Sequence, residues 1–117
     1  MLVDHRTYSV RAGTLKLQLD LYEKYGLKAQ WQHLGKPLAF LTTETGELNT
    51  YVHIWLYGDA GDREERRALL NADPAWQVYL ARAAQAGYIV TQSTKLMSPV
   101  AFQSGQALIH SVAGGRL

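Results

Sequence analysis

The densest set of chemically capable side chains lies in Tyr51-Val52-His53-Ile54-Trp55-Leu56-Tyr57. In extended backbone, successive side chains alternate faces, so Tyr51, His53, Trp55 and Tyr57 share one face and Val52, Ile54 and Leu56 the other. Aromatic walls around one imidazole are the make-up of a site for a flat apolar ligand. The same residues also make a packed seam in which rings meet edge to face. His53 is the acid/base candidate, because imidazole titrates near neutrality. The plainer reading, which we prefer, is a buried neutral histidine bonded to a neighbouring strand, to Glu44 or to Asn49. As a ligand site the set extends to Tyr8, Asn49 and Trp76 beside Tyr51, Trp55 and Tyr57.

The other chemical candidates are weaker. Arg63, Arg66 and Arg67 have the donor geometry to clamp a carboxylate. Their neighbours Asp62, Glu64 and Glu65 make a solvated ion-pair face the commoner outcome. Arg63 and Arg67, one helical turn apart, are expected to reach the loop carrying Glu44 and Glu47. Arg6, in the middle of a strand beside Tyr8, needs a carboxylate partner, and Glu44 or Glu47 is expected to supply it. His5, His33 and His110 have no ligand spacing with His53, so no metal is expected. His33 has nothing beyond its residue type to mark it as a haem ligand. There is no Ser-His-Asp set, phosphate-cradling glycine loop or dinucleotide fingerprint, and no cofactor is expected.

Composition bounds the rest. With 117 residues and 47% hydrophobic content, one domain buries about two-thirds of its unfolded surface and needs no staples. The absence of cysteine excludes disulfides, thiolate metal sites and thiol nucleophiles. A net charge of +2 is far from the basic excess of nucleic-acid binders. No apolar run suits a signal peptide or membrane helix. A cytoplasmic protein with no nucleic-acid or membrane partner is the expectation.

The elements that must position these side chains follow from periodicity. Residues 2–11 are rich in β-formers and make a first strand broken by Ala12-Gly13. Thr14 is expected to cap a helix over residues 15–27, with Leu15, Leu19 and Tyr22 as its stripe and Leu17, Leu21 and Tyr25 widening it. A stripe that wide implies contact on two sides. Gly26 is expected to end or loosen the helix, and residues 28–36, around Trp31, read as a connection. Two strands, residues 38–43 and 49–57, flank the turn Glu44-Thr45-Gly46-Glu47-Leu48. Asp62-x-x-Glu65 reads as a capping box for a helix over residues 63–70. Asp73-Pro74 starts the next, with Trp76, Tyr79, Leu80 and Ala83 inward and Gly87 just past its end. A last strand over residues 88–97 stops before Pro99.

The order βαββαβ predicts an α+β, ferredoxin-like fold: an antiparallel four-stranded sheet with helices on one face and its first and third strands central. The third strand has no solvent-like face, so the uncovered side of the sheet needs a cover, and a second copy of the chain is the simplest one. The expectation is a homodimer with the aromatic face toward the helices and Val52, Ile54 and Leu56 in the dimer seam. Residues 100–117 lose periodicity and read as a tail anchored only by Phe102, Leu108 and Ile109.

Taken in order, five groups of residues bear a likeness to a known family: Arg6-Thr7-Tyr8; Thr43-Glu44-x-Gly46-x-Leu48-Asn49; His53-x-Trp55-x-Tyr57; Arg63-x-x-Arg66-Arg67 with Leu70; and Asp73-Pro74-x-Trp76. Through them residues 2–99 resemble NIPSNAP proteins, small domains of the dimeric α+β barrel superfamily. One departure is His5, where that family often has Glu. The resemblance implies two sheets face to face in a barrel with helices outside, and no settled activity. Residues 1–99 are thus read as a NIPSNAP-like domain and 100–117 as a C-terminal tail.

The functional expectation is a homodimer that binds a small apolar or aromatic molecule, or a protein partner. The alternative, drawn from sister families, is a cofactor-independent monooxygenase- or isomerase-like enzyme using His53 with Tyr8, Asn49 and Trp55 on an aromatic substrate. An enclosed cavity of about 300 Å³ or more beside His53 would favour the enzyme, and a face filled by rings would not.

Overall fold

A computed structural model of the chain describes residues 1–103 and 105–110. The element order is β1 (Leu2–Val10), α1 (Leu15–Tyr25), α2 (Leu27–Leu34), β2 (Ala39–Thr42), β3 (Thr50–Tyr57), α3 (Ala60–Ala72), α4 (Pro74–Ala86), β4 (Ile89–Met97) and α5 (Gly105–His110). The sheet is antiparallel in the order β2-β3-β1-β4, so β1 and β3 are central as the strand pattern requires. Register pairs Leu2, Asp4, Arg6 and Tyr8 with Tyr57, Trp55, His53 and Tyr51. Those eight residues share one face, and it is the face the helices cover. Trp55, Tyr57, Leu34 and Leu70 are sealed in the core between them.

Gly26 does not end the first helical segment. It stays in the right-handed region, its N–H donating to the Tyr22 carbonyl (2.7 Å) and its own carbonyl accepting from Gln30 N (3.0 Å). Helix therefore resumes at once as α2, where a connection was expected. The glycine serves close packing instead, because a Cβ there would sit 2.9 Å from Cγ of Tyr79 on α4. The periodicity of α2 is hidden because one of its buried residues is polar: Gln30 is as enclosed as Ala29 and Leu34. Leu17, expected in the apolar stripe of α1, is half exposed, and Gln18 is fully buried in that helix.

Two caps also differ from expectation. Thr14 donates its hydroxyl to the Arg11 carbonyl (2.6 Å) and caps no helical N–H. Asp59, not Asp62, caps α3 by accepting from Asp62 N (2.7 Å), while Asp62 accepts from Gly58 N (2.9 Å) and from Arg66 Nε (2.8 Å). The helix thus starts one turn earlier. Asp73 and Pro74 start α4 as expected, with Asp73 accepting from Ala75 N (2.9 Å), and Gly87 closes it with φ +65°. Beyond β4, residues 105–110 form a short helix where no periodicity was read. Phe102, expected as an anchor, is 93% exposed, whereas Leu108 and Ile109 are half-buried. Residues 104 and 111–117 of the expected tail lie outside the described residues.

Candidate functional site

A cavity of about 220 Å³ opens between the helix-facing side of the sheet and α4. Its floor is a row of stacked rings. Phe40 on β2 lies 4.8 Å from His53, His53 lies 5.0 Å from Tyr8, and Tyr8 lies 4.9 Å from Tyr51, with adjacent planes within 10°. The register that sets Phe40 opposite His53 and Tyr8 opposite Tyr51 produces this row. Trp76, Tyr79, Leu80 and Ala83 form the helical wall, and Arg6, Arg67, Asn71 and Gln92 add polar groups.

Of the residues singled out from sequence, the structure brings Tyr8, Tyr51, His53 and Trp76 together at this cavity. Trp55 and Tyr57 lie on the same face but do not line it, being fully buried beneath α3 and α4. Asn49 is exposed beside the β2–β3 turn, where its backbone carbonyl accepts from Val10 N (2.8 Å). Phe40 was missed because β2 is short and half exposed. Gln18 and Tyr22, which hold the site from behind, were missed as functional because they sit in a helix read for apolar spacing, and Gln30 because its segment was read as a connection.

These polar groups form a buried lattice. Gln18 Nε2 donates to the hydroxyls of Tyr51 (3.2 Å) and Tyr79 (2.9 Å), tying α1 to β3 and α4. The Tyr22 hydroxyl donates to Gln30 Oε1 and accepts from Trp31 Nε1 (3.2 Å). Burial raises the hydroxyl pKa of Tyr22 and Tyr51 and lifts that of Tyr79 to about 12, so all three are neutral donors and acceptors at physiological pH.

His53 is 3% exposed. It is held by Trp55, whose Nε1–H donates to Nδ1, and not by Glu44, Asn49 or another strand. Burial, then the positive charge of Arg6 and Arg67, pulls its pKa down to about 3. The ring is neutral, and because Nδ1 accepts, its one proton is on Nε2. Its free edge is therefore a donor.

The arginines are arranged differently from the sequence expectation. Asp4, fully buried on β1, takes the place foreseen for Glu44 or Glu47. Its Oδ2 accepts from Arg63 Nε (3.0 Å) and lies 3.7 Å from Arg6. Arg6 Nε donates to the Tyr8 hydroxyl (3.1 Å). Arg66 pairs with Asp62 and donates to the Leu34 carbonyl (3.2 Å). Glu44 and Glu47 are exposed on the turn beyond β2, at the opposite edge of the sheet from β4. Asp4 Oδ1 and the Tyr57 hydroxyl are buried without a protein partner. His33 Nε2 meets Asp73 at 2.9 Å, clipping α2 to the start of α4. Among the described residues, no three His, Cys, Asp or Glu side chains converge as a metal site.

The NIPSNAP family model matches residues 3–104. The chain belongs to the NIPSNAP family. A NIPSNAP family protein of unknown function from Agrobacterium tumefaciens is 35% identical over 88% of this chain and 91% of its own, with a TM-score of 0.80. An uncharacterized NIPSNAP domain protein from Burkholderia xenovorans is 34% identical over 89% and 99%, with a TM-score of 0.81. A putative antibiotic biosynthesis monooxygenase from Nitrosomonas europaea shares the fold at 9% identity, covering 86% and 99%, with a TM-score of 0.61. No curated protein matches the chain. Among the described residues of this NIPSNAP protein, no helix is long and apolar enough to cross a membrane.

Proposed function

We propose that this NIPSNAP protein is a homodimer that binds a small aromatic molecule in the cavity between its sheet and α4. The observation that supports the reading is the cavity itself: about 220 Å³ beside the floor of stacked rings, with Trp76 and Tyr79 on the opposite wall. A dry apolar cavity of about 150 Å³ already accepts benzene, so the space suits one substituted ring. The Nε2–H edge of His53 supplies orientation.

The dimer rests on the other face of the sheet. Val52 and Ile54 are half-buried there, and Leu41, paired with Val52, and Met97, paired with Val3, are 55% and 40% exposed. A second copy of the same sheet is the cover that fits such a face. Light scattering on the eluting protein is expected to give twice the chain mass, and Ile54→Lys is expected to give one. A wild-type monomer at micromolar concentration would sink the dimer. Thermal-shift measurements with single-ring aromatics test the cavity, because a ligand specific for the native state raises Tm. No shift with any of them would sink that part.

The enzyme alternative asks His53 to take a proton. A base needs a free lone pair and a pKa near the working pH, whereas Nδ1 is occupied and the pKa is pulled to about 3. The cavity is also below the roughly 300 Å³ of ordinary substrate pockets. Binding without proton abstraction is the better fit.

A further inference from the structure

We propose that the ligand of this cavity is an anion, a planar aromatic carboxylate whose charge pairs with Arg67 and Arg6 while its ring lies against Trp76 and the stacked floor. The inference rests on the reading of the cavity as a small-molecule site and adds the charge of what enters it.

Charge balance carries the argument. Two guanidinium groups line the cavity, and no carboxylate does. The nearest acid, Asp4, is already shared: Arg63 holds its Oδ2 at 3.0 Å and Arg6 stands farther off at 3.7 Å. Arg66, one position from Arg67, has Asp62 at 2.8 Å, whereas Arg67 makes no hydrogen bond or ion pair with the described residues. Arg67 is nonetheless half-buried, and a guanidinium that gives up part of its hydration gains from a counter-charge. Its planar fork matches a carboxylate in two-point fashion.

Two further lining groups are donors. His53 offers Nε2–H. The Tyr8 hydroxyl accepts from Arg6 Nε (3.1 Å), which leaves its own proton free to donate. Two guanidinium groups and two further donors with no lining carboxylate, beside a ring-lined floor, describe the complement of an aromatic acid, and the amides of Asn71 and Gln92 can turn their NH2 groups toward it. A neutral aromatic would fill the volume and leave Arg67 without a counter-charge.

Titration calorimetry with benzoate and its neutral isostere benzamide, on the full chain, tests this. Benzoate is expected to bind at least about tenfold more tightly, the usual worth of a charge-assisted pair. Arg67→Gln is expected to remove that preference by weakening benzoate far more than benzamide, and Arg66→Gln, on the same helix but paired to Asp62, is expected to leave both unchanged. Unaltered Tm in the unliganded variants establishes that both are folded. Equal binding of the two compounds, or equal loss in the two variants, would overturn the anion reading and leave the cavity as a neutral site. Binding of neither at millimolar concentration would overturn both.

Discussion

His53 provides a pH experiment with a calculable size. Its pKa falls from 6.5 in the unfolded chain to about 3 in the fold, chiefly because burial disfavours the cation. Between those values the unfolded chain binds a proton that the native protein does not. Stability is therefore complete above about pH 6.5 and falls as pH drops toward 3. Between about pH 7.5 and 5 the unfolded site goes from roughly a tenth protonated to nearly full while the native site stays neutral. The linked loss is about 2 kcal/mol, rising to about 3 kcal/mol at about pH 4. Above pH 5 the carboxylates contribute little, because Asp62 and Asp73, whose folded pKa values are depressed below 3.8, begin to cost stability only on further acidification. Comparison with a variant lacking the His53 imidazole separates it from the other three histidines.

Urea denaturation of wild type and His53→Gln at a series of pH values measures it. The wild type is expected to lose about 2 kcal/mol more than the variant over that interval. NMR of the His53 ring is expected to show the neutral Nε2–H form at pH 5. A ring titrating near 6.5, or parallel pH curves for the two proteins, would refute the burial argument, and a neutral ring protonated on Nδ1 would refute the tautomer.

Three further outcomes follow from the packing. Gly26→Ala gains roughly 1 kcal/mol of helix propensity but drives a methyl into the Tyr79 ring at 2.9 Å, so a net loss of about 1–2 kcal/mol is expected by chemical denaturation; a more stable variant would show that the ring yields. Gln18→Leu strips the donor from two buried tyrosine hydroxyls and is expected to cost about 2–4 kcal/mol in the same assay, with no loss meaning that water or a new rotamer satisfies both. Arg63→Gln leaves the Asp4 carboxylate with Arg6 at 3.7 Å and is expected to cost about 3–5 kcal/mol, recovered in large part by adding Asp4→Leu. Failure of the double change to recover stability would assign Arg63 a packing role instead.

Strand order, the central place of β1 and β3 and the buried aromatic face of β3 were legible because alternation and β-branched composition are local signals, whereas Val52 and Ile54 on its other face are half-buried. The start of α4 was legible because Asp73-Pro74 is local chemistry. What escaped depends on partners distant in sequence. Gly26 looks like a helix end unless Tyr79, on another helix, is known to press on it. The Asp4–Arg63 pair joins residues 59 apart, and charge pattern alone pointed Arg63 to the wrong acids. Gln18 and Gln30 break apolar periodicity because their burial is repaid by tyrosine hydroxyls across the core. The part of the cavity contributed by β1 and β3 was visible as a period of two, whereas Phe40 on β2 and Ile89 and Gln92 on β4 were not. Of the part contributed by helices, Trp76 and Arg67 were singled out, and Tyr79, Leu80 and Ala83 were visible only as core.

That difference bears on how the fold makes a site at all. A hydrophobic core of this size would ordinarily close over β3, and rings as large as those of Trp55, Tyr57 and Leu70's neighbours at the α3 end do so completely. At the α4 end, most rings around the cavity are pinned by a directional bond: Tyr51 and Tyr79 to Gln18, Tyr22 to Gln30, Tyr8 to Arg6 and His53 to Trp55, while Phe40 is held by stacking on His53. A hydrogen-bonded ring cannot slide to fill a void without orphaning a buried polar atom, at about 1–3 kcal/mol each. Collapse of the 220 Å³ space would break several such bonds at once. The polar lattice behind the aromatic floor thus holds the cavity open before any ligand arrives, and the ligand need not meet the cost of opening it.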